Sequence, residues 1–127
     1  MGNKKETILL LKVSNAIREG KTPYEATRGN WKIGKDRIEK DEILYVAGLD
    51  TKNKEVVGFY SPEKWFQVKE GPEKEVGRRY FDGVEAPNEI FEKLNKSYDQ
   101  LLKRFGQGSE KAYITLEELE ALLSPTA

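Results

Sequence analysis

The sequence predicts an α+β fold: a curved, mostly antiparallel sheet or pseudo-barrel with short flanking helices. Three observations support the α+β class: an apolar run near the N-terminus, two runs of branched residues joined by a tight turn, and helical apolar spacing in the last third of the chain. A chain of 127 residues is long enough for one hydrophobic core, and its five Phe, six Tyr and two Trp argue against disorder. We therefore expect a single domain, 1–127.

Strands are predicted where short runs of β-branched or aromatic residues stand between turn-forming residues. Thr7 to Ser14 (TILLLKVS) is typical of a buried strand in the middle of a sheet. Ile43 to Leu49 and Glu55 to Tyr60 predict a hairpin around the turn sequence DTKN. Shorter strands are expected at 65–68, 78–81 and 112–114.

The first helix is predicted from its end signals. Thr22 is suited to cap it, Pro23 to occupy its first position and Glu25 to complete a capping box. Gly29 stands where a glycine at the C-terminal end of a helix is favoured. The helix is therefore expected to be short, and Arg28 to lie near its C-terminal end.

Further helices follow from apolar spacing and capping residues. Residues 86–94 and 98–105 carry apolar side chains at helical intervals. A last helix is expected to begin after Thr115, with Glu118 completing its capping box and four leucines forming a stripe, at 116, 119, 122 and 123. One further helical turn is predicted at 35–40.

The composition restricts the chemistry that the chain can perform. There is no cysteine and no histidine, so the usual general base, the thiolate nucleophile and the usual zinc ligands are missing. The carboxylates fall mostly in charged runs typical of solvated surface, and no catalytic residue, metal site or cofactor is predicted. Whether the chain is an enzyme stays uncertain, and a binding role is favoured.

Charge and hydropathy bear on partners and location. Basic and acidic residues are equal in number, 22 each, so attraction to nucleic acid has to come from a local patch. The apolar run near the N-terminus is too short to span a bilayer, and no membrane partner is expected. A cytoplasmic location and a monomer or weak dimer are the expectations.

Two cationic and aromatic clusters mark a candidate surface. The stretch from Arg28 to Lys40 contains five basic and two acidic residues, with Trp31 among them. The sequence GRRYF at 77–81 places two arginines beside two rings. Arginine can fork onto phosphate, and a flat ring can stack on an unpaired base. The candidate nucleic-acid-binding residues are Arg28, Trp31, Lys32, Trp65, Arg78, Arg79 and Tyr80.

The same side chains also have a purely structural interpretation. Tryptophan is more often packed in a core than used as a binding platform, which applies to Trp31 and Trp65. Arg28 could form an internal salt bridge or stack on a ring. Strand alternation further predicts that only one of Arg78 and Arg79 lines a given surface.

Several segments in the same order resemble a known family. They are LLLKV, YEATRGNWKIGKDR, ILYVAGL, VVGFYSPEKW, GRRYFDG and a late FG…AYI. This set looks like a domain found C-terminal to bacterial GIY-YIG-type nucleases and in stand-alone proteins, similar to the PUA and ASCH group of small β-barrels. The resemblance covers 7–114, leaving 1–6 as a flexible N-terminus and 115–127 as a C-terminal helix and tail.

The resemblance implies binding rather than cleavage, since the nuclease module is absent. PUA-like barrels commonly recognise RNA or modified bases, so we expect a non-catalytic module that binds RNA or modified DNA in a cationic and aromatic cleft. The alternative is a protein-interaction accessory domain of a phage or defence system, docking through the leucine stripe of the C-terminal helix.

Overall fold

The computed structural model describes residues 6–29, 31–32, 43–73, 75–106 and 108–123. The predicted flexible N-terminus lies outside these residues except for Glu6, and the predicted helical turn at 35–40 lies outside them entirely. The other basic residues of the cluster that ends at Lys40, namely Lys35, Arg37 and Lys40 itself, likewise lie outside the described residues.

Five strands form one mixed sheet. In chain order they are β1 (Thr7–Lys12), β2 (Ile43–Asp50), β3 (Glu55–Gln67), β4 (Arg79–Glu85) and β5 (Lys111–Thr115). In space the order is β4-β3-β2-β1-β5. β1 and β2 are parallel, and the other neighbouring pairs are antiparallel. The α+β class is therefore confirmed. The sheet of the described residues is not closed into a barrel, because β4 and β5 remain at opposite edges.

The predicted hairpin is confirmed as β2 and β3, with Val46 opposite Tyr60 and Asp50 opposite Glu55. The Asp50 carboxylate holds the turn, accepting a hydrogen bond from the peptide N–H of Lys52 at 3.0 Å. The strand predicted at 65–68 is not separate, because β3 continues to Gln67. A register shift after Pro62 lets the strand pass a residue that has no N–H to donate.

In the part of the chain that the structure describes, five helices accompany the sheet: α1 (Ser14–Arg18), α2 (Pro23–Arg28), α3 (Asn88–Lys96), α4 (Tyr98–Leu102) and α5 (Leu116–Leu123). Both predicted capping boxes are confirmed, at Thr22 with Glu25 and at Thr115 with Glu118. The sequence analysis did not predict α1. Its polar sequence SNAIR gives no strong signal, and packing on the core supports it instead.

The helices cover both faces of the sheet. Ile8 and Leu10 of β1 pack on the side of α3, α4 and α5, whereas Leu9 and Leu11 pack on the side of α1 and α2. All four side chains are 0% exposed. Burial on both faces explains why the strand is an unbroken apolar run rather than an alternating one. No helix in the described part of the chain is long and apolar enough to span a bilayer.

Gly29 ends α2, as predicted, but for a different reason. Its backbone is extended, with φ 160° and ψ 179°, rather than left-handed. A Cβ at this position would lie 2.3 Å from Cβ of Tyr80, a residue of β4. Glycine is thus needed here because the chain passes very close to the edge of the sheet.

Candidate functional site

The segment Trp31–Lys32 is fixed along the outer edge of β4. The N–H of Trp31 donates to the carbonyl of Arg79 at 2.9 Å, and the N–H of Arg79 donates back at 2.8 Å. The indole Nε1 of Trp31 donates to the carbonyl of Thr27 at 2.9 Å. The half-buried ring packs against the α2 side of the core. The indole therefore has a set orientation.

Lys111, the first residue of β5, reaches the same segment from the other edge of the sheet. Its ammonium donates to the carbonyl oxygen of Lys32. Burial lowers the pKa of Lys111, and the neighbouring charges of Lys32 and Arg78 lower it further. Three cationic side chains thus converge although they belong to three distant parts of the sequence.

These residues line a pocket of about 290 Å³, which we call the cationic pocket; its lining is Trp31, Lys32, Arg78, Gly108, Glu110 and Lys111. Arg78 also forms an ion pair outside this lining, with Nε 3.2 Å from Oε2 of Glu75. Among the described residues neither Lys32 nor Lys111 has an acidic partner within salt-bridge distance. Two lysines without acidic partners beside an indole make a site suited to an anion attached to a flat ring.

Arg28 has a different environment. Its Nε donates to the carbonyl of Phe81 at 3.1 Å, and its Nη2 pairs with the Asp82 carboxylate. The guanidinium lies 5.5 Å from the ring centroid of Tyr24 and 5.2 Å from that of Tyr80. Burial acts to lower the pKa of Arg28, but hydrogen bonds to Asp82 and Tyr24 outweigh it and leave the pKa raised. Arg28 therefore joins α2 to β4.

Tyr80 is occupied by neighbouring side chains. Its ring stacks on Phe66 with centroids 5.2 Å apart and an interplanar angle of 17°. The Nζ of Lys64 lies 5.1 Å from the centroid of the Phe66 ring, and the guanidinium of Arg28 lies 5.2 Å from that of the Tyr80 ring. Two cations and two rings thus contact one another across β3 and β4.

The remaining predicted residues lie around β4. Trp65 packs against Phe81, with ring centroids 5.3 Å apart, and belongs to the α2 side of the core. The peptide group of Arg79 pairs with Trp31, and Arg78, just before the strand, is the arginine that lines the cationic pocket. The structure therefore brings Trp31, Lys32 and Arg78 together and places the other four elsewhere.

The sequence analysis missed three residues of the pocket lining, Gly108, Glu110 and Lys111, of which Lys111 is the cationic one. It lies 79 positions from Lys32 and is an isolated lysine at the start of a predicted strand. No local pattern distinguishes it, since only the meeting of β5 with the Trp31–Lys32 segment brings it to the site. No three acidic side chains among the described residues are grouped to hold a metal ion.

Comparison of the chain with protein-family models, with curated proteins and with solved structures found no match. The resemblance to the PUA and ASCH group therefore stays a prediction.

Proposed function

We propose that this chain is a PUA-like, non-catalytic module that binds a single strand of nucleic acid at the cationic pocket. One phosphate would lie between Lys32 and Lys111, with Arg78 beside it. The neighbouring base would stack on the accessible part of the Trp31 ring.

The observation that carries this proposal is the local excess of positive charge in a chain whose net charge is zero. Burial of the Lys111 ammonium costs free energy, and the nearby charges of Lys32 and Arg78 add to this cost, in agreement with the lowered pKa of Lys111. An anion in the pocket would offset this cost. Sites that bind ligands commonly contain such arrangements, which contribute nothing favourable to folding by themselves.

A single strand fits the pocket better than a duplex. Its volume of about 290 Å³ suits one nucleotide rather than a groove-filling element. An unpaired base can turn out of its strand and stack on an aromatic ring, whereas a paired base cannot do so without unpairing.

The alternative, docking of a protein partner on the C-terminal helix, has less support. Leu119 is 0% exposed and Leu116 packs beside it in the core of the α3 side. Leu122 is 40% exposed. Two of the four leucines of the predicted stripe, Leu116 and Leu119, therefore stabilise the domain itself.

The proposal is tested by fluorescence anisotropy with labelled single-stranded RNA, single-stranded DNA and duplexes at two salt concentrations. We expect binding to single strands that weakens as salt rises, since phosphate contacts release counterions. The variant Lys32→Gln/Lys111→Gln should lower the affinity by about tenfold or more and reduce the salt slope by about one, since one phosphate contact is lost.

The matched control is Lys93→Gln/Lys96→Gln, which removes the same charge from α3 on the other side of the sheet. It should bind like the parent protein. The proposal fails if the folded parent protein binds none of the oligonucleotides, or if both double variants lose affinity equally.

A further inference from the structure

A second pocket, of about 260 Å³, lies where β4 ends, and we call it the acidic pocket. β4 pairs with β3 from Gln67 to Tyr60, and after Glu85 the chain leaves the sheet toward α3. The N–H of Ala86 donates to the carbonyl of Phe59 at 3.1 Å and anchors this departure. The lining of the pocket is Val57, Gly58, Phe59, Tyr60, Glu85, Ala86, Asn88 and Phe91. It shares no residue with the lining of the cationic pocket, so the two are separate sites.

The chain around this pocket carries negative charge. Residues 82–92 contain four acidic side chains and no basic one. Asp82 pairs with Arg28, whereas Glu85 has no basic partner within salt-bridge distance among the described residues. The N-terminal end of α3 contributes about half a positive charge, which Glu89 in its first turn opposes. The Glu85 carboxylate therefore leaves the pocket with a net negative charge.

Tyr60 and Glu85 place a hydroxyl and a carboxylate in the same part of the pocket. The two residues are direct partners across β3 and β4, so their side chains lie on one face of the sheet. Tyr60 is 9% exposed, and its hydroxyl forms no hydrogen bond within the described part of the chain. Burial raises the pKa of Tyr60, and the charge of Glu85 raises it further. The hydroxyl therefore stays protonated at neutral pH, and its oxygen can accept a hydrogen bond.

Gly58 leaves room for the hydroxyl end of the Tyr60 ring. A Cβ at this position would lie 2.7 Å from Cε2 and 3.1 Å from Oη of Tyr60. It would also lie 3.2 Å from Oγ1 of Thr27, a residue that is 0% exposed and whose hydroxyl has no hydrogen-bond partner among the described residues. Two hydroxyl oxygens without partners thus lie beside one lining residue of the pocket. Their lone pairs suit a ligand that donates several hydrogen bonds.

We propose that the acidic pocket binds a primary ammonium group carried on a short apolar chain. The ammonium would pair with the Glu85 carboxylate and donate a hydrogen bond to the Tyr60 hydroxyl. The apolar chain would lie against Phe59 and Phe91, and cation–π attraction to the lining rings would add to the affinity. Such a group occurs on free alkyl amines and on the lysine side chain. This binding is independent of the nucleic acid proposed for the cationic pocket.

The test is isothermal titration calorimetry with n-pentylamine at neutral pH, where it is an ammonium ion. Pentanol and pentanoate are the matched ligands, because they keep the chain length and replace the positive charge with no charge or a negative one. We expect pentylamine to bind at least ~10-fold more tightly than either. In amide NMR spectra, the signals of Gly58 and Ala86 should shift as pentylamine is added, since both residues line the pocket.

A second arm distinguishes the two sources of the ammonium group. It uses a blocked pentapeptide with one lysine between glycines. Equal affinity for the peptide and for pentylamine would identify a lysine side chain of a protein as the ligand. Affinity at least ~10-fold weaker for the peptide would identify a free amine. Both outcomes agree with an ammonium site.

The variant Glu85→Gln keeps the shape of an exposed side chain and removes its charge, and it should lower the affinity for pentylamine at least ~10-fold. Tyr60→Phe, which keeps the ring, should lower it about threefold. Glu70→Gln is the matched control, since it removes the same charge from the exposed segment after β3, at the far end from Tyr60. The proposal is overturned if pentylamine binds no more tightly than pentanol, if both glutamate variants lose affinity equally, or if the signals of Gly58 and Ala86 do not shift.

Discussion

Arg28 and the lysines of the cationic pocket occupy adjacent regions of the molecule but have opposite electrostatic environments. Arg28 has a carboxylate, a carbonyl oxygen and two aromatic rings as partners. Lys111 has one carbonyl oxygen and two neighbouring cations. Arg28 and Lys32 look alike in the sequence, because both are basic residues close to Trp31. The difference shows that the partners of a cation, more than its neighbours in sequence, distinguish a framework residue from a candidate binding residue.

The largest effect is expected from Gly29, which joins the two regions. Gly29→Ala would force a Cβ against Cβ and Cα of Tyr80, atoms that cannot move without shifting β4. We expect a loss of about 1 to 3 kcal/mol in the free energy of unfolding, measured by urea denaturation. Gly106→Ala is the control, since a Cβ there meets no atom within 4 Å. Equal stability of the two variants would contradict the close packing of α2 on β4.

A smaller effect is expected from Arg28→Gln. The substitution removes the ion pair with Asp82 and weakens the link to Phe81, and because the side chain is 31% exposed we expect a loss of only about 1 kcal/mol in stability. Oligonucleotide affinity should stay unchanged. Arg18→Gln, which breaks a local contact with Asn15 in α1, is the matched control. A loss of oligonucleotide affinity with an unchanged free energy of unfolding would instead indicate that Arg28 contacts the nucleic acid.

The smallest effect is a pH dependence due to Lys111. Its folded-state pKa lies below the unfolded value of about 10.4, so the unfolded chain binds more protons between the two values. The loss of folding stability caused by charged Lys111 is complete below the pKa of Lys111 in the folded state. It disappears as the pH rises to the pKa of the same group in the unfolded state. Stability should therefore rise with pH across this window relative to Lys111→Met, as measured by denaturation of both proteins between pH 7 and 10.5. A parallel pH profile for the two proteins would contradict a lowered pKa of Lys111, whether burial or the neighbouring cations cause it.

Local signals in the sequence were enough for most elements of the fold. Capping residues predicted both ends of α2 and the start of α5, and the branched runs around DTKN predicted the hairpin. The parallel pairing of β1 with β2 could not be predicted, since it depends on contacts between segments separated by a long connection. The short α1 was missed because the core, and not its own sequence, stabilises it.

The candidate site was predictable only in part, for the same reason. Trp31, Lys32 and Arg78 belong to runs where basic and aromatic residues are dense, and these three line the cationic pocket. Arg28 and Trp65 belong to similar runs, but two residues of β4 contact their side chains. Arg28 pairs with Asp82, and Trp65 packs against Phe81. Lys111 has no cationic or aromatic residue beside it except Tyr113 two positions on, so no local pattern selects it.

The contact between Lys111 and Lys32 also determines when a binding site can exist. It links two residues 79 positions apart, so it closes a long loop in the chain. During synthesis, the pocket can form only after β5 has left the ribosome and paired with β1. Binding would therefore indicate that β5 has paired with β1. A ligand in the pocket would also act as a reversible cross-link between the two edges of the sheet.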